Sequence, residues 1–236
     1  MGFQGKNMVI VGASSGIGAE MARKLGEEGA QLFTYSRHPA NGLPATARWA
    51  AVDVMAENFQ LTDLPELVHG VVYCPGSIQL RPFARISAED FRRELEINVV
   101  GAFRVLQQVF SRLKAAGPGS SALLFSTVAV HTGMPFHSSI AAAKGAVEGL
   151  VRALAAEWAP TVRINAIAPT LTDTPLAAPL LNTEEKRQSA AQRHPLRRVA
   201  TPADVAHTAC FLLSDQASFI TGQVWLIDGG FGYLRT

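Results

Sequence analysis

The sequence has few cysteines, no concentration of charge of one sign and no long apolar run. Its two cysteines, Cys74 and Cys210, are too few for a disulfide framework, which favours a reducing compartment. The 21 basic residues are scattered and the net charge is +2, so the sequence lacks the basic face of a nucleic-acid-binding protein. No uncharged apolar stretch approaches the roughly 18 residues that a membrane span requires, and MVIVGAS, after Lys6, is too short for a signal-peptide core. We therefore expect a soluble cytoplasmic protein that binds neither nucleic acid nor membranes, and we predict no metal site.

The chain also lacks a Ser/Gly-rich linker, an internal repeat and a low-complexity segment. Its 236 residues are 48% apolar and 17% charged, enough for one domain with a full core. We predict a single domain over residues 1–236.

Apolar runs alternate with segments of helical period almost from end to end. The run Asn7–Val11 is unbroken, as in a strand buried on both faces, and further strands are predicted in QLFTYS, ARWAAVDV, GVVYC, SALLFS, RINAIA and QVWLID. Helices are predicted after the first strand, over positions 87–117, over 135–158 and in TPADVAHTACFLLSD. This alternation predicts an α/β Rossmann-type fold, doubly wound, with a seven-stranded parallel sheet between two layers of helices. The segment between the third and fourth strands has room only for a stunted helix.

A glycine-rich turn, GASSGIG, follows the first predicted strand at positions 12–18. A turn from a strand into a helix needs glycine where φ is positive or where backbones approach closely. The helix that follows offers unpaired N–H groups to a pyrophosphate, and Ser14 and Ser15 add hydroxyl groups. The turn therefore predicts a dinucleotide-binding site.

The end of the second predicted strand indicates which dinucleotide binds. In an NAD site an acidic residue at this position holds the ribose 2′-hydroxyl. Here the strand ends Tyr35-Ser36-Arg37, without a carboxylate. Arg37 can form a bidentate contact with a 2′-phosphate, assisted by Ser36, although a solvated surface arginine is the alternative interpretation. The missing acid favours NADP(H).

Two further segments, together with the glycine turn, carry a family resemblance. RINAIAPTLTDTP is similar to a segment that closes over a nicotinamide ring, and PLRRVATPADVAHTACFLLSDQASFITGQVWLIDGG is similar to the C-terminal segment of β-ketoacyl carrier-protein reductases. The chain thus resembles the short-chain dehydrogenase/reductase family along essentially its whole length. The resemblance implies a nicotinamide cofactor, a small-molecule substrate and assembly into homodimers or homotetramers through the long helices.

The resemblance also assigns cofactor contacts. Asp53 and Val54 resemble the pair that holds the adenine ring, Thr170 stands where a glycine is usual, and Thr174 corresponds to a residue that contacts the carboxamide. The residues predicted to bind the cofactor are Gly12, Ser14, Ser15, Gly16, Ile17, Gly18, Ser36, Arg37, Asp53, Val54, Gly76, Asn98, Lys144, Pro169, Thr170 and Thr174.

The family's catalytic residues are only partly present. The family uses a tyrosine that exchanges a proton with the substrate oxygen, a lysine four residues later, a serine that binds the same oxygen and an asparagine that supports a water relay. Lys144 and Asn98 match the lysine and the asparagine, although a solvated lysine is the alternative for Lys144. The serine's position holds Thr127, which keeps a hydroxyl and has Ser126 beside it. The tyrosine's position holds Ile140, which can neither give nor take a proton.

Three residues are candidate replacements for the missing tyrosine. His137 lies seven residues before Lys144, a spacing similar to that of the tyrosine in the family's enoyl reductases, and histidine titrates near neutrality. An exposed loop histidine is the alternative. Tyr73 ends the fourth predicted strand, where it points toward the cofactor cleft or packs on its adenosine side. His131, in the loop after Thr127, is the third candidate. The predicted catalytic residues are Asn98, Thr127, His137 and Lys144.

Two functions remain open at this point. The first is an NADP(H)-dependent oxidoreductase with an altered proton donor, acting on a carbonyl or a conjugated alkene. The second is a catalytically silent NADP(H)-binding member of the family that serves as a subunit or regulator. A loop around residues 171–195 is expected to cover the substrate in either case.

Overall fold

The computed structural model describes residues 2–40, 42–44 and 46–234, so the ends of the predicted domain, positions 1 and 235–236, lie outside the described residues. Its strands are β1 (Asn7–Val11), β2 (Gln31–Ser36), β3 (Arg48–Ala51), β4 (Gly70–Tyr73), β5 (Ser120–Phe125), β6 (Val162–Pro169) and β7 (Val224–Ile227). They form one parallel sheet in the order β3-β2-β1-β4-β5-β6-β7. The predicted seven-stranded parallel sheet is confirmed. Because the chain reverses its direction of winding between β1 and β4, the crevice at their carboxyl ends is where this class of fold binds ligands.

Helices cover both faces of the sheet, as predicted. They are α1 (Gly16–Glu27), α2 (Ala88–Leu95), α3 (Gly101–Ala116), α4 (Ser138–Trp158), α5 (Glu184–Gln192) and α6 (Pro202–Leu213). Side chains alternate along β1, so that Met8 and Ile10 pack toward α1 and α6, while Val9 and Val11 pack toward α3 and α4. Within the described residues, no helix combines the length and the apolar character that crossing a bilayer requires.

The start of α6 has the capping residues that the sequence predicts. Thr201 accepts a hydrogen bond from the backbone N–H of Asp204, the Asp204 carboxylate accepts one from the backbone N–H of Thr201, and Pro202 opens the helix. Arg198 pairs with the same carboxylate at 2.6 Å and holds its pKa well below the usual range. This capping box fixes the start of the C-terminal segment.

The structure differs from the predicted elements in four places. The predicted helix over 87–117 contains a π-helical turn, Glu96–Val100, between α2 and α3. The third strand ends at Ala51 rather than at position 54, because the chain then turns at Asp53 toward the cavity. The expected substrate loop carries a helix of its own, α5, preceded by the short 3₁₀ segment Pro175–Leu180. In the fourth place, the crossover between β3 and β4 is short, as predicted, but its described residues form turns and no helix, not the stunted helix expected.

Candidate active site

A single cavity of about 1050 Å³ lies at the carboxyl ends of the strands. It extends from the glycine turn after β1, past the ends of β2 and β3, to α4 and the segment that follows β6. The cavity lining includes all but one of the sixteen residues predicted to bind the cofactor; Asn98, the exception, lies buried beside Gly76. The fold therefore brings residues from six separate segments of the chain to one site.

The glycine turn has the backbone geometry that the sequence predicts. Gly12 and Gly16 have φ values of 85° and 58°, in the left-handed region. A Cβ on Gly18 would lie 2.2 Å from the carbonyl oxygen of Gly12, so no side chain fits there. The hydroxyl of Ser15, the residue before α1, makes no capping hydrogen bond, which leaves the N–H groups of the first turn available to an anion.

Arg37 and Ser36 differ in what they can offer a 2′-phosphate. Arg37 is exposed at the edge of the cavity and forms no ion pair with any described residue. The Ser36 side chain is buried, its hydroxyl donates to the carbonyl of His38 at 2.6 Å, and it accepts from the indole N–H of Trp49. To assist in binding a 2′-phosphate, the Ser36 hydroxyl would have to give up its hydrogen bond to His38. Arg37 has no ion pair with a described residue to give up.

Asp53 and Val54 lie just beyond β3, on the predicted adenine side of the cavity. The Asp53 carboxylate accepts a hydrogen bond from the backbone N–H of Met55 at 2.9 Å, which closes a tight turn. Because of this turn, Asp53 and Val54 both line the cavity.

Asn98 lies in the π-helical turn and is 1% exposed. Its Nδ2 donates to the Glu94 carbonyl, to the Glu94 carboxylate and to the Ser77 hydroxyl. Its Oδ1 is buried and has no hydrogen-bond partner, although it lies against Gly76 on the cavity side. A buried acceptor without a partner is costly, so the site is built to receive a donor at this position.

Lys144 lies on the inner face of α4 and is 7% exposed. Its ammonium lies against Gly76 and makes no hydrogen bond or ion pair with the described residues. Burial lowers the pKa of Lys144 to about 8, while the nearby Glu94 and Cys74 act in the opposite direction. The interpretation of Lys144 as a solvated surface lysine is therefore wrong.

Thr127 and Ile140 belong to the same cavity as Lys144, as the sequence resemblance predicts. Both line the cavity, and Ile140 is 6% exposed, so it makes an apolar wall where a phenol would otherwise stand. The Thr127 hydroxyl accepts a hydrogen bond from the backbone N–H of Ala129, which leaves its proton available to a ligand. The neighbouring Ser126 also lines the cavity, but its hydroxyl donates to Glu148 at 2.6 Å.

The three candidate proton donors are placed very differently. His137 lines the cavity, and its Nδ1 donates to the carbonyl of Pro135 at 2.7 Å, so Nε2 is the atom left for proton exchange. Tyr73 is buried, its hydroxyl donates to the carbonyl of Ile97, and it fills the space beside Gly101. It lines neither the catalytic nor the adenosine side of the cavity, so both interpretations of Tyr73 are wrong. The imidazole of His131 instead pairs with Glu148 at 2.9 Å, outside the cavity.

The segment after β6 closes the site. Pro169 ends the strand, and the hydroxyl of Thr170 bonds to Nε2 of His194 at 2.9 Å. Because the Nδ1 of His194 donates to the Ala190 carbonyl, Nε2 accepts the Thr170 proton. Thr174 caps the 3₁₀ segment and packs its methyl group on Gly16. The substrate loop is thereby tied to the cofactor turn.

Sequence reasoning missed Ser77, Glu94 and His194, which all line the cavity. Glu94 had one available signal, because it lies one helical turn before Asn98 and therefore shares its face. His194 gave none, since its burial depends on the fold of the loop.

The residues present fit a nicotinamide dinucleotide. The turn admits no Cβ at Gly18, the first turn of α1 has N–H groups to offer, Asn98 presents an unpaired acceptor and Lys144 an unpaired donor. Together the fold and the cavity define a dinucleotide-binding α/β protein.

Comparison with known proteins gives the family. A protein-family model described as "Enoyl-(Acyl carrier protein) reductase" matches residues 12–232. A tropinone reductase homologue of Arabidopsis thaliana is 34% identical over 246 residues, with 97% of this chain and 93% of that protein covered. The 3-oxoacyl-[acyl-carrier-protein] reductase of Thermotoga maritima is 32% identical over 246 residues, covering 98% and 99%. A solved short-chain type dehydrogenase/reductase from Mycobacterium ulcerans superposes with a TM-score of 0.89 at 31% identity, covering 100% of this chain and 92% of that one.

The chain therefore belongs to the short-chain dehydrogenase/reductase family, a family of nicotinamide-dependent oxidoreductases, and the resemblance seen in the sequence is confirmed.

Proposed function

We propose that this protein is an NADP(H)-dependent oxidoreductase that acts on a carbonyl or a conjugated alkene with an atypical proton donor. The observation that carries the proposal is the continuity of the cavity, which joins the glycine turn and Arg37 to Thr127, His137 and Lys144. The comparisons support both substrate classes, since the relatives include a tropinone reductase homologue and a 3-oxoacyl-[acyl-carrier-protein] reductase, and the matching family model is described as an enoyl-(acyl carrier protein) reductase. We place the protein in the cytoplasm.

Each part of the cavity would bind a different part of the cofactor. The N–H groups at the start of α1 would bind the pyrophosphate, Arg37 the 2′-phosphate, and Lys144 the hydroxyls of the nicotinamide ribose. The nicotinamide cofactor supplies a hydride when bound. The Thr127 hydroxyl is placed to donate a hydrogen bond to the oxygen on which negative charge develops.

The reaction also needs a proton, and Ile140 cannot supply it. His137 is the candidate donor, because its ring lines the cavity and its Nε2 is not engaged by the protein. An imidazolium at this position would pass its Nε2 proton to the reduced substrate and take another from solvent. The left-handed backbone of Phe136, with φ of 68°, turns the loop just before this residue.

The role of His137 is tested by substitution. NADPH oxidation is followed with diketones, quinones and enones, and His137→Ala is expected to lower the turnover number by about 10²–10⁴, the usual contribution of a general acid. His131→Ala is the matched control, since His131 pairs with Glu148 outside the cavity. Full activity in His137→Ala together with unchanged NADPH affinity would show that the donor is another group.

The second candidate function is the silent NADP(H)-binding subunit or regulator, and the buried Ile140 specifically favours it. Ile140→Tyr distinguishes the two functions. The new phenol would stand between Thr127 and Lys144, whose charge stabilises a phenolate and lowers the pKa of the phenol.

We expect Ile140→Tyr to create or raise NADPH-dependent reduction of simple diketones or quinones by about tenfold or more. Ile140→Phe, which adds the ring without the hydroxyl, is the control and should give no gain. If the natural protein is inactive on all substrates and Ile140→Tyr gains nothing while still binding NADPH, the silent binder becomes the better description.

A further inference from the structure

A buried carboxylate lies beside the candidate catalytic residues. Glu94, at the end of α2, is 3% exposed and lines the cavity. Its Oε2 accepts a hydrogen bond from the Ser77 hydroxyl at 2.6 Å and one from Nδ2 of Asn98 at 3.2 Å. Glu94 forms no ion pair with any described residue, so a buried acid here is not explained by a direct cationic partner.

The Asn98 side chain links Glu94 to the surroundings of Lys144. Nδ2 of Asn98 bonds to the carboxylate, and Oδ1 of the same side chain lies against Gly76, where the Lys144 ammonium also lies. Both charged groups are more than nine-tenths buried in one cavity, and neither is neutralised by a contact. Opposite charges in such a site stabilise each other even without touching, because the surroundings screen them weakly.

We propose that Glu94 is a positioning residue for Lys144, whose carboxylate, fixed by Ser77 and Asn98, keeps the neighbouring ammonium charged at neutral pH. This inference rests on the proposed function in one respect, because it takes the ribose of the cofactor as the group that the charged Lys144 binds. Without Glu94 the same lysine would lose its proton at lower pH, since burial alone favours the neutral amine.

The other groups near Lys144 do not replace this charge. Cys74 also acts to keep Lys144 protonated, but burial raises the pKa of the Cys74 thiol to about 12, so the thiol is neutral at physiological pH. The remaining charged or titratable side chains that line the cavity are Arg37, Asp53, Arg93, His137, Arg193 and His194, together with Tyr35. Glu94 is thus the carboxylate of the catalytic side, as Asp53 lies on the predicted adenine side.

The test measures the protonation of Lys144 directly and needs neither cofactor nor substrate. The whole protein is acetylated with a small reagent from about pH 6 to about pH 10, the range that brackets a perturbed lysine, and the reaction at each lysine is quantified by mass spectrometry. The natural protein is expected to show a midpoint for Lys144 near pH 8.

Glu94→Gln is expected to shift that midpoint to lower pH by about one unit, because it keeps the shape and hydrogen bonds but removes the charge. If Glu94→Gln does not fold, Glu94→Met takes its place in the test, because it replaces the acid with an apolar side chain of similar length. It should shift the Lys144 midpoint in the same direction. Glu94→Asp should keep the midpoint close to that of the natural protein. Glu89→Gln, on the exposed face of the same helix, is the matched control and should leave it unchanged.

A second measurement connects the shift to binding. NADPH affinity of Glu94→Gln should fall about fivefold at pH 8, where its Lys144 is mostly neutral and that of the natural protein is half charged, and should nearly match the natural protein at pH 6. A midpoint that stays in place in folded Glu94→Gln or Glu94→Met overturns the proposal. Loss of all dinucleotide binding would instead overturn the proposed function, and the labelling result would still decide the role of Glu94.

Discussion

The guanidinium of Arg37 stands exposed at the end of β2, where a dinucleotide would place the ribose of its adenosine half. The neighbouring Ser36 hydroxyl is held by His38 and Trp49, so the proposed preference for a 2′-phosphate depends on the Arg37 side chain. This makes the choice of cofactor unusually easy to test by a single substitution.

Arg37→Ala is expected to erase most of a preference for NADPH over NADH. A charged bidentate pair is worth about 1.5–3 kcal/mol, which corresponds to a tenfold to hundredfold loss of NADPH affinity with little change for NADH. Titration calorimetry with both cofactors measures it, and Arg48→Ala, an exposed arginine outside the cavity, is the control. Equal affinity of the natural protein for the two cofactors would contradict the NADP(H) assignment.

At the residue scale, the sequence predicted the site residues whose positions are fixed by the spacing of the motifs. The distances along the chain were enough to place Thr127, Ile140 and Lys144 together, because one strand and one helix hold all three in a fixed relation. For Glu94 they offered only its position one helical turn before Asn98, and not its burial, which depends on Ser77 and on the packing of α2 against α4. Tyr73 was misplaced because its side chain points to the helix layer, where the missing side chain of Gly101 leaves it room.

Among the elements, the turn from β1 into α1 is the most tightly constrained. Gly12 also meets Pro75, where a Cβ would lie 2.9 Å from the proline ring, so the turn is packed against the segment that follows β4. Substitutions here act on the fold and on the cofactor site together.

Gly18→Ala is expected to destabilise the protein by about 1–3 kcal/mol, because the new methyl group clashes with the Gly12 carbonyl and forces the backbone to shift. The same shift should weaken dinucleotide binding. Thermal denaturation with and without NADPH measures both effects. Gly133→Ala is the control, since a Cβ there meets nothing within 4 Å, and an equal loss in both variants would contradict the explanation.

The elements that the sequence did not predict share a physical reason. The π-helical turn Glu96–Val100 is five residues long and continuous with the α-helices on either side, so no periodicity reveals the wider spacing of its hydrogen bonds. The helix α5 has a polar sequence without an apolar face, and its only buried residue is Ala190. Neither element therefore shows an apolar period in the sequence, although Thr183 and the acids after it signal the start of α5.

Across the whole molecule, the surface of the long helices carries apolar side chains without a covering layer. Phe91 on α2 is 37% exposed and Phe103 on α3 is 43% exposed. We propose that these helices and α4 pair with their symmetry mates in an isologous interface, giving a homodimer or homotetramer.

Sedimentation analysis at micromolar concentration is expected to show such an oligomer, and Phe103→Asp should shift it toward monomer by burying a charge in the interface. Leu67→Asp, at a similarly exposed apolar residue outside these helices, should leave the assembly intact. A natural protein that sediments as a monomer would contradict the proposal.

The π-helical turn has a consequence for how much change the long helix tolerates. The wider turn accommodates one residue more than an α-helical turn, and around it Glu94 lines the cavity, Asn98 lies buried beside Gly76, and Val105 and Val109 face the sheet. Deleting one residue of Glu96–Val100 would therefore close the segment to regular α-helical spacing without rotating α3 against α2, so Val105 and Val109 would still face the sheet. The change would be confined to the turn itself, where the buried amide of Asn98 would lose its present position beside Gly76. Such a deletion is expected to alter the candidate site more than the core.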